Sequence, residues 1–309
     1  MIKEWLKNVV RQYLPVYKYE SGTLKILYAG YSPIKKNYYV RMLLNNPGKS
    51  VFSGFCFYRK IPGLLKRYDS DMIISEISPA VLDKFRKYRG YIIPEWATMK
   101  INLERPMTEI CARKISDFPD VKRLIRKYNL TYEIRTDIES IQFFYDKMYL
   151  PFTKSRHGNE AWILDINMIL KSSPPPEMIS IMENGVTVGA SLIQKENDEW
   201  RLLYLGTIDG NQEYLRHGVI GAIYYFAILE AKKTGYKRLN VGGSRPFVND
   251  GLTRYKLGLG AEFVPELTPF RYFLWLGVNE NSSMARKFIE SNPFMHLGEG
   301  YKLIKSGVY

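Results

Sequence analysis

Leu239-Asn-Val-Gly-Gly-Ser-Arg-Pro-Phe-Val-Asn-Asp-Gly-Leu-Thr-Arg-Tyr-Lys-Leu-Gly-Leu-Gly260 reads as three pieces in a row. Leu239 and Val241 end a β-branched run, Gly242-Gly243 break it, and Ser244, Pro246, Asn249, Asp250 and Gly251 turn the chain. Leu252, Tyr255, Leu257 and Leu259 then take helical spacing. A strand, a loop rich in hydrogen-bonding groups and a short helix hold polar side chains rigidly while leaving them open to a ligand. Arg245, Asp250, Arg254 and Lys256 set four charges in this glycine-flanked segment, where a plain turn needs none.

The elements around this stretch follow the same logic. Upstream, Met178–Glu183, Asn184-Gly185 and Val186–Gln194 form a hairpin, since Asn-Gly accepts the positive φ of a two-residue turn. Trp200–Thr207 is the next strand, followed by a polar loop over 209–218 and a helix over 219–233 whose inner face is Ile220, Ile223, Ala227 and Ala231. A strand, a glycine-containing loop and a helix N-terminus together form a phosphate-binding arrangement, although Gly218 and Gly221 equally allow close helix packing. Lys237–Val241 leads back into the quoted stretch, and 261–264, 270–276 and 301–304 read as strands with a helix over 282–290.

The first half is less regular. Ile2, Trp5, Leu6, Val9, Val10, Tyr13 and Leu14 give an amphipathic helix that stops before Pro15; it docks on the core or, as a second reading, touches a membrane surface. Residues 24–28, 38–44 and 51–57 read as strands joined by turns at Ser32-Pro33 and 45–48. A helix over 79–88 capped by Ser78, a strand over 98–103, a helix over 113–128, a strand over 131–134 and a helix over 138–148 follow. The helix over 113–128 carries Arg113, Lys114, Lys122, Arg123, Arg126 and Lys127 on one side, a face that is either solvated or turned to phosphates. Turn-rich segments at 156–160 and 172–176 flank a helix over 162–170 and place a domain boundary near 160, giving domains 1–160 and 161–309.

Charge divides the same way. The chain of 309 residues has a formal net charge of +14. Residues 1–150 hold 27 Lys and Arg against 15 Asp and Glu, a surplus of +12, and residues 151–309 hold 18 against 16, a surplus of +2. Such a field favours a polyanionic partner: a phosphorylated coenzyme, a transfer RNA or an anionic surface. Basic residues do not interleave with aromatics in a repeated motif, so specific DNA binding is not expected. Cys56 and Cys111 form no disulfide framework and have no metal-ligand spacing. His157, His217 and His296 are scattered, which disfavours a Ser-His-Asp or Cys-His site. A metal-free protein of the cytoplasm is expected, with no secretion leader or membrane span.

The order hairpin, polar loop, helix, strand, short helix, strand resembles the GNAT acyltransferase fold. Tyr255, Lys256 directly after it and Gly260 five positions past the aromatic are more similar to the FemAB-like acyltransferases, whose motif is aromatic-Lys-x-x-hydrophobic-Gly. Residues 99–103, the basic helix, 132–134, Phe143-Phe144-Tyr145 and 154–158 resemble the same group, so the resemblance spans roughly residues 98–275. It implies an α+β, three-layer fold of two tandem GNAT-like domains, each a mixed, largely antiparallel sheet flanked by helices. The donor site then belongs to the C-terminal domain. The loop Gln212–Gly221 departs from the Arg/Gln-x-x-Gly-x-Gly/Ala pattern of coenzyme A users, and the coiled-coil arm of many aminoacyl-tRNA-using members has no heptad run here.

The implied activity is transfer of an acyl group from acyl-CoA to an amine or hydroxyl of an acceptor that no residue identifies. An aminoacyl-tRNA donor is the first alternative and a non-catalytic scaffold for an anionic partner the second. Acyl transfer needs a deprotonated acceptor, a stabilised oxyanion and a protonated leaving group. The resemblance gives Lys256 to a phosphate or the oxyanion; Tyr255 protonates the leaving group or packs in the core, and Asp250 is a base or a helix cap. Leu205, Gly206 and Thr207, with a bulge suggested by Gly206, and Arg216, His217, Gly218 and Gly221 are the expected donor contacts. Ser244, Arg245, Asn249 and Arg123 are the expected substrate contacts.

Overall fold

The computed structural model describes residues 12–21, 24–44, 50–111, 118–158, 163–264, 273–298 and 300–304. The expected N-terminal helix lies mostly outside them. Its last two members, Tyr13 and Leu14, open a strand instead. The chain divides into two compact units, one built from 1–97, 245–253 and 265–309 and the other from 98–244 and 254–264. Position 160 falls inside the second unit, so the change of composition there does not coincide with a change of unit.

The first unit begins with β1 (Tyr13–Ser21), β2 (Leu24–Ala29), β3 (Val51–Phe57), β4 (Met72–Ile77) and β5 (Tyr91–Pro94). The second holds β6 (Ala97–Asn102), β7 (Leu130–Arg135), β8 (Glu177–Glu183), β9 (Val186–Glu196), β10 (Glu199–Thr207), β11 (Arg238–Ser244) and β12 (Glu262–Val264). The chain then returns with β13 (Phe273–Val278), β14 (Phe294–Gly298) and β15 (Gly300–Ile304). Strand order is β3-β1-β2-β4-β13-β5 in the first sheet and β12-β6-β11-β10-β9-β8-β7 in the second. Each is largely antiparallel with an internal parallel pair, β2 with β4 and β10 with β11. With helices on their faces, the sheets give the α+β architecture of two tandem GNAT-like units.

The reading of 38–44 as a strand is corrected: Pro33–Leu43 is a helix. Ser32-Pro33 is its start rather than a turn between strands, with Ser32 Oγ accepting from Lys35 N at 3.2 Å and Pro33 supplying the fixed φ of a first helical residue. Tyr39, Val40 and Leu44 are buried at helical, not alternating, spacing. The helix over 79–88 is also shorter, a 3-10 turn Pro79–Val81 and a turn Leu82–Phe85 that Ser78 does not cap through its side chain. The loop over 209–218 contains a helical turn, Gln212–Arg216.

In the second unit the central helix has the expected bounds, Val219–Lys233, but Ile220, expected on its inner face, is only half-buried. Val219, Ala222, Ile223, Ala227 and Ala231 are buried with Trp200, Leu239 and Val241 on one face of the sheet. Ile141, Phe144, Met148 and Tyr149 cover Ala190 and Leu192 in a second cluster.

Candidate functional site

The quoted stretch is shared between the units: residues up to Ser244 and from Arg254 belong to the second, and Arg245–Thr253 to the first. In the first unit, Asp250 Oδ1 accepts from Leu252 N and Thr253 N, both at 3.1 Å. A cap of this kind is worth about 1 kcal/mol. Its other oxygen accepts from Tyr38 Oη at 2.8 Å, so both carboxylate oxygens are engaged. Burial, then the Asp250 hydrogen bond and charge, push the Tyr38 hydroxyl well above its ordinary range. Thr253 Oγ1 donates to Arg245 O at 2.7 Å and closes the loop on itself. The Arg245 guanidinium lies 4.3 Å from the Tyr38 ring centroid and 4.4 Å from that of Trp96, a sandwich that fixes it through cation–π attraction. Asn249 is spent on Ser291 O at 2.9 Å.

In the second unit, β10 pairs with β11 only over Glu199–Arg201 and Arg238–Asn240. Both strands run on past that point, to Thr207 and Ser244. Against its other neighbour, β9, the register of β10 shifts between Leu202 and Leu205, so the bulge lies upstream of Gly206. Gly206 instead permits a close backbone approach, because a Cβ there would stand 2.6 Å from Met148 O in the π-helical turn Tyr145–Tyr149. Leu205 packs on the core, and Thr207 is fully buried with its hydroxyl on Asn211 O.

Lys256 lies where the pairing of β10 and β11 stops. It is 4% exposed, and its Nζ donates to Gly243 O at 2.9 Å. A Cβ on Gly242, which has φ +78°, would be 3.7 Å from this Nζ and 3.9 Å from Leu202 O. The Lys256 side-chain nitrogen is thus held in a nearly dry fork between two backbones. Ser244, at the end of β11, is fully buried, and its Oγ has no hydrogen-bond partner among the described residues. Tyr255 is half-buried against Tyr224 at 6.0 Å, and burial followed by Tyr255 pushes the Tyr224 hydroxyl upward.

In the expected donor loop the two glycines face side chains of helix Phe118–Lys127. Gly218 has φ +85°, and a Cβ there would meet Leu124 Cδ1 at 2.8 Å; on Gly221 it would meet Val121 Cγ2 at 2.8 Å. Both glycines therefore let the central helix approach helix Phe118–Lys127. The N–H groups of His217 and Gly218 bond to Glu213 O and Leu215 O. The His217 ring stacks on Tyr128 at 3.8 Å, and its Nδ1 is 3.0 Å from Glu183 Oε2. A carboxylate therefore stands beside the histidine, and hydrophobic side chains stand against the two glycines. Arg216 is exposed, and Arg123 pairs with Asp120 at 3.8 Å. Lys122 and Lys127 lie over the rings of Tyr225 and Tyr128.

Sequence reasoning misses Tyr38, Trp96, Tyr128 and Glu183, which reach their partners from segments distant in the chain. Among the described residues no group of three or more His, Cys, Asp or Glu side chains is placed to hold a metal ion, and no helix is long and apolar enough to cross a membrane. Cys56 and Cys111 are free thiols.

No protein-family model and no curated protein sequence matches the chain. Several solved structures are similar to the chain at low identity. FemX is 11% identical with a TM-score of 0.45, covering 88% of this chain and 90% of its own. L-PGS from Bacillus licheniformis is 10% identical with a TM-score of 0.42, covering 89% and 83%. A tandem GNAT protein from the clavulanic acid biosynthesis pathway is 10% identical with a TM-score of 0.34, covering 76% of each chain. At these values the likeness carries no donor, acceptor or residue role to this chain.

Proposed function

We propose that this protein is a transferase that moves an aminoacyl group from aminoacyl-tRNA to an amine or hydroxyl acceptor, with the second unit's strand fork as the reaction site. The observation that carries this reading is the buried Lys256 side-chain nitrogen, fixed on Gly243 O where β10 and β11 cease to pair. In the transfer, the acceptor nitrogen or oxygen attacks the ester carbonyl and the oxyanion forms. The bond to the ribose oxygen then breaks, and that oxygen takes the acceptor's proton. A fixed positive charge in a dry place favours the oxyanion over the neutral ester, and such preorganised charge is usually the largest catalytic contribution.

The choice of donor is supported by the loop before the central helix, where Glu183, Leu124 and Val121 occupy the surroundings a pyrophosphate would need. A formal net charge of +14 suits a tRNA, which binds through many phosphates and in a salt-dependent way. Acyl-CoA is the competing donor, supported by the GNAT-like fold.

The test uses tRNA charged with labelled amino acids and hydroxylamine as a surrogate acceptor. Lys256→Met keeps the length and removes the charge; it should lower transfer by about 100-fold or more, the effect of removing one oxyanion-stabilising donor, with tRNA binding unchanged. Full transfer by Lys256→Met would sink the assignment of the fork.

A further inference from the structure

The first unit contains a concave feature, distant in sequence from the residues of the strand fork. A cavity of about 220 Å³ is lined by Tyr58, Arg59, Lys84, Phe85, Lys87 and Tyr88. Tyr58 opens the 3-10 turn after β3, and Phe85 ends the helical turn Leu82–Phe85. Both rings are buried, 6.4 Å apart between centroids, with Tyr88 6.0 Å from Phe85. They form an aromatic floor, and the rim is cationic. Arg59 Nε and Lys84 Nζ both donate to Tyr58 Oη at 3.0 Å. One phenol oxygen therefore gathers two cations, and Lys87 adds a third.

Among the described residues no acid lines this cavity. Asp83, the nearest carboxylate in sequence, is paired with Arg86 at 3.2 Å. Three positive groups gathered without a counter-charge repel one another, and an anion between them removes that penalty. The hydrogen bond from Lys84, with a smaller contribution from Arg59, holds the Tyr58 hydroxyl below its ordinary range, a second sign of the local positive potential. A guanidinium fork with two ammoniums is the donor set that recognises phosphate oxygens, and aromatic faces suit the organic part of an ester. Size limits the ligand further: pockets for drug-sized molecules begin near roughly 300 Å³, so this one suits a single phosphate with a short substituent and not a whole coenzyme.

We propose that the Tyr58–Arg59–Lys84–Lys87 pocket of the first unit is a binding site for a phosphate ester, presented by a soluble metabolite or by a phospholipid headgroup. The site shares no residue with the strand fork, and its test does not depend on transferase activity.

The full-length protein is titrated calorimetrically with glycerol 3-phosphate, and its sedimentation is measured with vesicles of phosphatidylglycerol and of phosphatidylcholine. The double variant Arg59→Gln/Lys84→Gln alters exposed side chains and is checked for an unchanged unfolding midpoint. Lys147→Gln/Lys171→Gln, which removes the same charge elsewhere, is the control. One saturable site is expected, weakened about tenfold or more in the pocket variant, the factor that about 1.4 kcal/mol represents, and unchanged in the control. Tyr58→Phe, which frees the two cations from their shared oxygen, should also weaken it. Binding of glycerol 3-phosphate identifies a soluble source, and binding only to phosphatidylglycerol vesicles a lipid one. The proposal is overturned if no probe binds saturably at millimolar concentration, or if the control loses as much affinity as the pocket variant.

Discussion

Gly221→Ala tests whether the glycines before and within the central helix serve packing. Alanine is the better helix former by about 1 kcal/mol in a helix interior, and Gly221 is only the third residue of Val219–Lys233, so the gain is smaller there. Against it stands the new methyl, 2.8 Å from Val121 Cγ2 and 3.3 Å from Cγ1. Val121 is buried in helix Phe118–Lys127, and a valine in a helix has one strongly preferred rotamer, so it cannot turn aside. Overpacking of this kind costs about 1–3 kcal/mol, which leaves a net loss of about 0.5–2.5 kcal/mol once a propensity gain of about 0.5 kcal/mol at this position is subtracted. Val121→Ala alone loses about 1.6 kcal/mol at about 0.8 kcal/mol per buried methyl-sized group. Together the changes relieve each other, so the double variant should fall short of the sum by about 1 kcal/mol or more. The assay is urea unfolding, read as midpoint shifts at constant slope, with amide exchange of residues 219–233 followed in parallel because a chain of two units need not unfold in one step. A neutral or stabilised Gly221→Ala with an additive double variant would refute the packing account and return the glycine to a phosphate-binding role.

Gly206→Ala sets a methyl 2.6 Å from Met148 O, a backbone atom with little room to retreat, and should destabilise the second unit by about 1–3 kcal/mol; thermal unfolding measures it. Asp250→Ala removes a cap worth about 1 kcal/mol and leaves Tyr38 Oη without its acceptor, whereas Asp250→Asn keeps the cap and should lose less in the same assay. The Tyr132 hydroxyl, pushed up to about 12 by burial and then by its hydrogen bond to Glu230, keeps its proton in the folded state to higher pH than in the unfolded one. Its contribution is full below the ordinary tyrosine value of about 10 and is lost as pH rises toward 12. Stability measured by urea should therefore fall more steeply over that window in the wild type than in Tyr132→Phe.

Where local signals agree, the sequence reads correctly. The hairpin at Asn184-Gly185 and the helix Val219–Lys233 have turn chemistry, periodicity and ends that point the same way. The helix Pro33–Leu43 reads as a strand because Tyr38, Tyr39 and Val40 favour strands by type, while the deciding features, a Ser-Pro cap and burial at helical spacing, depend on tertiary packing. β4, β5 and β14 escape a sequence reading because short apolar runs such as Met72–Ile74 carry no period. At the site, Lys256 and Asp250 can be singled out from their loop and helix. What holds them, Gly243 O and Tyr38 Oη, cannot, since the second lies 212 positions away. Gly206, Gly218 and Gly221 show the limit most plainly: a glycine marks a close approach, and only the structure says to what.

The most direct measurement is a calorimetric titration of the wild-type protein with aminoacyl-tRNA and, separately, with acetyl-CoA, at low and moderate salt. Saturable tRNA binding that weakens as salt rises is expected, with no micromolar binding of acetyl-CoA. Micromolar acetyl-CoA binding without tRNA binding would contradict the proposed function and make acyl-CoA the donor.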